Sequence, residues 1–166
     1  FDDRDASDAA LACCELARRP DLVASPVVHA KLVDFLSELL RTARPRGGND
    51  KASPYFGRAR GLAGAVMDSE RVRRELPVAL LHLYSEVHAV VGLDVDADSS
   101  FDKFTVRHRA NALLATLWGH PLLEARAAIV DAFKRSETAS AFFTAALDTV
   151  VYCGEDALDR LADGKR

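Results

Sequence analysis

Apolar residues in this chain recur every three or four positions, and no stretch keeps the two-residue alternation of a half-buried strand. A chain patterned this way hides its apolar side chains only by coiling into helices and packing them on one another. The breaks in the pattern fall at Pro and Gly. Ala10, Cys13, Cys14 and Ala17 form one small-residue face of a first helix, Ser7 to Arg18, which Pro20 stops. Ser25 caps a second helix, and Pro26 takes its first position, where no N–H is missed. The predicted buried stripe of that helix is Val28, Leu32, Phe35, Leu36, Leu39 and Leu40, closed by Pro45 and Gly47-Gly48.

Leu80, Leu83, Tyr84, Val87 and Val91 define a third major helix. It starts at Pro77, or runs from Ser69 with a kink at the proline. Val106, Ala110, Leu113, Leu114 and Leu117 give the stripe of a fourth, capped by Ser99 or Ser100. Phe101 and Phe104 lie off that stripe and point to a second neighbour, as in a helix held between layers. A fifth helix is expected from Pro121 to Lys134, and a sixth carries Ala139, Phe142, Phe143, Ala146, Val150 and Val151 as far as Gly154. A short seventh covers Glu155 to Leu161. Residues 45–64, dense in Pro, Gly, Asn and Asp, read as a flexible loop, with a short helix from Arg58 to Met67. The fold class is therefore all-α, about seven helices in a single domain over residues 1–166, arranged as a helical array or an irregular bundle. No fixed internal period accompanies the helix rhythm.

The 166 residues suit one domain, and a chain of this size hides roughly 70% of its unfolded surface. No apolar run is long enough to span a membrane, and the acidic start, Phe-Asp-Asp-Arg-Asp, lacks the features of a signal peptide. A domain boundary is the expectation for a start without Met. Cys13, Cys14 and Cys153 are an odd set that includes neighbours, so they form no disulfide framework and fit a reducing compartment. Net charge is −3, yet Arg41 to Glu75 holds nine basic residues against four acidic ones. Within that block Arg71, Arg73 and Arg74 are candidates for docking an anionic partner, against the plainer reading of a solvated face.

Candidate chemistry is sparse. His29, His82, His88, His108 and His120 form no His-Glu-x-x-His motif and read as packed or surface residues. Gly57, Gly61 and Gly64 are followed by no Gly-Lys-Ser/Thr, which excludes a phosphate loop. Asp94, Asp96 and Asp98 have the spacing of a calcium loop, but Ser99 and Thr105 occupy the positions that need Gly and Glu, leaving an acidic connector. Glu124 and Glu137 sit near helix starts, where the dipole favours them without any catalysis. Nothing implies a cofactor, a metal or a nucleic-acid surface; the residues describe a binding or scaffold module.

The segment Phe101-Asp-Lys-Phe-Thr-Val-Arg107, continuing to Trp118, resembles the Tyr-Asp-Lys-Phe-x-x-Arg signature in the core of U-box ubiquitin-chain elongation factors of the yeast ubiquitin-fusion-degradation type. Upstream, Leu76-Pro77 through Tyr84-Ser-Glu-Val is similar to the family's Leu-Pro-x-Leu-Leu-x-x-Tyr-x-Asp-x-Glu helix. Ser25-Pro26 through Ala30-Lys31-Leu32-Val33 is similar to its Asn-Pro-x-Leu-Arg-Ala-Lys-Leu-Val stretch. Downstream, Phe142 through Asp148-Thr149 and Glu155-Asp156-Ala-Leu158 follow its Phe-x-x-x-Leu-x-Asp-Thr and Leu-Asp-Glu-Ser-Leu segments. The chain departs from the pattern at Leu147, where the family has Asn, and at His29, where it has Arg. Residues 45–64 match nothing in it.

The resemblance implies an armadillo-like helical array, an irregular α-solenoid, with Tyr84, Phe101, Asp102, Lys103, Phe104, Arg107, Trp118, Asp148 and Leu158 as structural signature positions. It implies a parent ubiquitin-protein transferase that elongates polyubiquitin chains on pre-ubiquitinated substrates for proteasomal degradation, in cytoplasm and nucleus. The ubiquitin-conjugating enzyme would be recruited by a U-box absent from this chain. The expected partners of the core are an AAA segregase and ubiquitin or ubiquitin-like shuttle proteins, with no nucleic acid and no membrane. The competing expectation is a helical-repeat adaptor with no ubiquitin role. If the array extends past this segment, an apolar end face is expected on it.

Overall fold

The structure is a computed structural model that describes residues 3–19, 22–23, 25–41, 64, 66–90, 103–119 and 123–164. Within them lie no strand and six helices with defined bounds, α1 (Asp3–Ala17), α2 (Pro26–Arg41), α3 (Glu70–Val90), α4 (Lys103–Trp118), α5 (Glu124–Phe133) and α6 (Ser136–Ala162), and Gly64 and residues 66–68 are helical as well. The all-α helical array expected from the periodicity is what forms. The expected loop, the aspartates at 94, 96 and 98, and Phe101, Asp102 and His120 lie outside the described residues, Gly64 excepted.

Helix α3 is the hub. It packs against each of the other five helices. Val72, Leu76, Pro77, Ala79, Leu80, Leu81, Leu83, Tyr84 and Val87 are all buried, and at 100° per residue they cover an arc of roughly 200°, with Arg71 and Arg74 exposed on the remaining side. A helix with so wide an apolar face is stable only when several neighbours cover it. Its start is set by Ser69, whose Oγ accepts from the Val72 N–H and whose carbonyl accepts from the Arg73 N–H. The helix begins there and passes through Pro77. Pro77 has no N–H to give the Arg73 carbonyl, and burial of its ring among the neighbours offsets that lost bond.

The neighbours present matching faces. Helix α1 offers Ala6, Ala10, Cys13, Cys14 and Ala17, small side chains that let its backbone approach α3 closely. Burial pushes the Cys13 thiol up and the Cys14 thiol up to about 12, so both stay protonated. Helix α4 buries Val106, Ala110, Leu113, Leu114 and Leu117, the stripe read from its sequence.

Two elements differ from expectation. On α2 the buried face is His29, Leu32, Val33, Leu36 and Leu40, while Val28 and Phe35 are exposed. The helix is rolled toward Val33 because it packs on α1, α3 and α4 together, and Asp34 reaches across to pair with Arg109 of α4. The sixth and seventh expected helices are one, α6, which continues through Gly154. Glycine lowers helix propensity by about 1 kcal/mol relative to Ala, too little to break a helix supported on both sides of it. Only Ala145 of α6 is fully buried; Phe142 and Ala146 lean on the core. Phe143, Leu147, Val150, Val151, Leu158 and Leu161 are exposed, from 58% at Phe143 to 76% at Leu161.

The hub generates two expected outcomes. Replacing Leu80 by Ala should cost about 2–5 kcal/mol of unfolding free energy, read from the urea midpoint at constant m-value. His29 is 3% exposed with its Nε2 unpartnered, and burial, then the nearby His82, holds its pKa below the usual 6.5. The unfolded chain therefore takes up the proton first as pH falls, so stability should be constant above about pH 6.5 and decline below it. A His29→Leu variant should flatten that decline in a series of melts from pH 7.5 to about pH 5.

Candidate functional site: an interhelical cluster at Arg107

Three helices contribute to one polar cluster inside the array. On α4, Lys103 and Arg107 lie one turn apart with Phe104 beside them, so all three reach the same side. On α6, Asp148, Thr149 and Tyr152 follow the same spacing. Helix α3 supplies Tyr84. Arg107 is 0% exposed. Its Nη1 donates to Asp148 Oδ2 at 2.6 Å and to Thr149 Oγ1 at 3.1 Å, and its Nε donates to the Tyr84 carbonyl at 3.3 Å. Lys103 Nζ reaches the same Asp148 oxygen at 3.4 Å. Thr149 passes the chain on, donating its hydroxyl to the Ala145 carbonyl at 2.8 Å.

Aromatic rings wall the cluster. Phe104 stacks on Tyr152 with centroids 3.6 Å apart and planes 8° from parallel. Tyr84 contacts Phe142 at 4.8 Å. The Arg107 guanidinium lies 5.6 Å from the Tyr84 ring and 5.9 Å from that of Phe104, where the π faces favour a cation. A buried arginine is tolerable only with such partners, because its desolvation is otherwise uncompensated. Nη2 is the exception, buried with no partner.

The structure thus gathers Tyr84, Lys103, Phe104, Arg107 and Asp148, signature positions far apart in the chain, into one contact. Trp118 and Leu158 stand elsewhere. Trp118 is half exposed at the end of α4, with the Arg126 guanidinium 5.7 Å from its ring. Leu158 is exposed on the outer side of α6. Sequence reading missed Tyr152, although its position one turn after Asp148 is the signal that places it on the same side.

The basic triplet is split. Arg73 is buried, with Nη1 donating to the carbonyls of Met67 at 2.6 Å and Asp68 at 2.8 Å, and Nη2 meeting Glu124 at 3.2 Å. Its guanidinium is spent on fastening the start of α3 to α5, so it does not face a partner as expected. The Glu124 carboxyl is held below its usual range by its own backbone N–H and then by Arg73. Arg71 and Arg74 are exposed, and Arg74 pairs with Glu70 one turn back at 2.6 Å.

The cluster can orient and fasten, but its carboxylate is engaged by two cations and its arginine is out of solvent's reach. Among the described residues no three His, Cys, Asp or Glu side chains group to hold a metal ion, and no helix is long and apolar enough to cross a membrane. The profile of one family, the ubiquitin elongating factor core, matches residues 4–166. The chain belongs to that family. With it comes a place in ubiquitin-chain elongation, on the side of the ubiquitin ligases. The elongating factor core therefore carries Lys103, Phe104 and Arg107 of its signature as an interhelical fastening in this chain. Neither a curated protein nor a solved structure matches it.

The division of the triplet sets an expectation for mutants. Arg73→Ala should cost about 1–3 kcal/mol, because a buried carbonyl and a part-buried one lose their donor. Arg71→Ala should stay within about 0.5 kcal/mol of the parent in the same urea titration.

Proposed function

We propose that this chain is scaffold, not catalyst, within a U-box ubiquitin ligase that elongates polyubiquitin chains on substrates already carrying ubiquitin. The observation that carries this is the match of the elongating factor core family to residues 4–166. The covalent transfer belongs to a ubiquitin-conjugating enzyme, recruited by a U-box outside these residues. The core holds the modified substrate close to that enzyme. Substrates reach it with an AAA segregase or with ubiquitin-like shuttle proteins and go on to the proteasome, in cytoplasm and nucleus.

Physical support comes from the packing. Five helices locked onto one hub hold surfaces at fixed spacing, and fixed spacing raises the effective concentration of one bound protein for another. Of the basic block, Arg71 and Arg74 keep the exposure that an acidic partner needs.

The test compares the parent protein with its U-box portion alone, on a ubiquitin-fusion substrate with conjugating enzyme present. The U-box portion should transfer ubiquitin slowly and leave short chains, while the parent should produce long ones. A parent carrying Arg71→Glu and Arg74→Glu, substitutions at exposed positions, serves as a folded intermediate case. Equal chain lengths from the parent and the U-box portion would remove the scaffold role.

A further inference from the structure

Helix α6 poses a problem that its apolar residues do not solve. It has 27 residues, yet only Ala145 is fully buried. At 100° per residue, Phe143, Leu147, Val150, Leu158 and Leu161 fall on the side opposite Ala145, and they are more apolar than the side facing the hub. Burial of apolar surface is non-directional. A helix with an apolar row on each side can therefore satisfy the hub in more than one rotation about its axis.

What distinguishes the observed rotation is directional. Asp148, Thr149 and Tyr152 make, respectively, the ion pairs to Arg107 and Lys103, the hydrogen bond to Arg107, and the ring stack on Phe104. All originate on α4, whose bridge to α6 is made by these side chains. A buried ion pair adds little stability over apolar side chains of the same volume, because desolvation cancels most of the attraction, and the orphaned Nη2 adds to that cost. Its value lies in excluding arrangements that leave the charges unpaired.

We infer that the Arg107–Asp148 pair is an orientation lock: it selects which face of α6 turns inward, and so turns the Phe143–Leu161 row outward. Arg107 and Asp148 are positioning residues in this account, with no contact to any reacting group. The Tyr84 carbonyl, bound by Arg107 Nε, ties the lock to the hub.

The experiment uses the protein's own thiols. Cys153 is exposed, whereas Cys13 and Cys14 are buried with their thiols held protonated, so a spin label attaches at Cys153. A second label goes on exposed Ala112 of α4 as Ala112→Cys, and pulsed electron resonance reads the distance distribution. The parent should give one narrow peak. The double variant Arg107→Leu with Asp148→Leu should keep the parent's helix content and an unfolding midpoint near the parent's, while its distribution splits or broadens. A lock that merely adds stability would do the reverse, lowering the midpoint and leaving the distance unchanged; that result overturns the inference. Should the double variant not fold, Asp148→Asn, which keeps shape and removes charge, is read in its place. Broadening supports the lock, and a single peak at the parent distance overturns it.

Discussion

Every helix of this protein that reaches the core does so by touching α3. That helix turns more than half of its circumference inward and keeps one side, with Arg71 and Arg74, in water, so much of its stability is borrowed from α1, α2, α4, α5 and α6. The dependence runs both ways. The small-residue face of α1 and the thin inner edge of α6 bury little by themselves and become stable only against an already enclosed partner. Such mutual enclosure gives a cooperative unit in which loss at the hub is felt at every neighbour. It also separates this array from a regular solenoid, where each repeat touches its neighbours alone.

Buried and part-buried polar groups do a different task from the apolar ones. Arg73 fastens the start of α3 to the start of α5, through two carbonyls and Glu124. Arg107 fastens α4 to α6 and to the middle of α3. Arg18 joins α1 to α3, with Nη1 2.5 Å from Glu75 Oε2 and Nη2 donating to the Glu75 carbonyl at 2.8 Å. Each of the three joins at least two helices at a defined point along their length. Apolar contacts decide that helices pack, and these arginines decide at what height and rotation.

The sequence made much of this legible. Period and breakers placed the helices, and the α4 stripe matched residue for residue because one dominant neighbour, α3, reads one face. The α2 stripe was read with its edge misplaced because three neighbours and the Asp34–Arg109 pair draw the helix round, and no local pattern encodes that. Gly154 read as a stop because propensity is judged locally, while α6 has helix on both sides of it. The signature at Lys103, Phe104 and Arg107 was recognisable as a family mark, but not as a contact, since Asp148 lies 41 residues away from Arg107 in the chain. Arg73 looked like its exposed neighbours Arg71 and Arg74 because charge counting is blind to which side of a helix enters the core.

The connection from Asp148 through Arg107 to the Tyr84 backbone has a mechanical consequence. Past Asp148, α6 runs on to Ala162, a rod of about 20 Å at 1.5 Å per residue. A load applied to the far end of that rod bears first on the Tyr152 ring stacked on Phe104, and one turn back on the Asp148 carboxylate. The guanidinium relays it to a carbonyl in the middle of α3. Whatever pulls on α6 therefore pulls on the centre of the protein rather than peeling its edge.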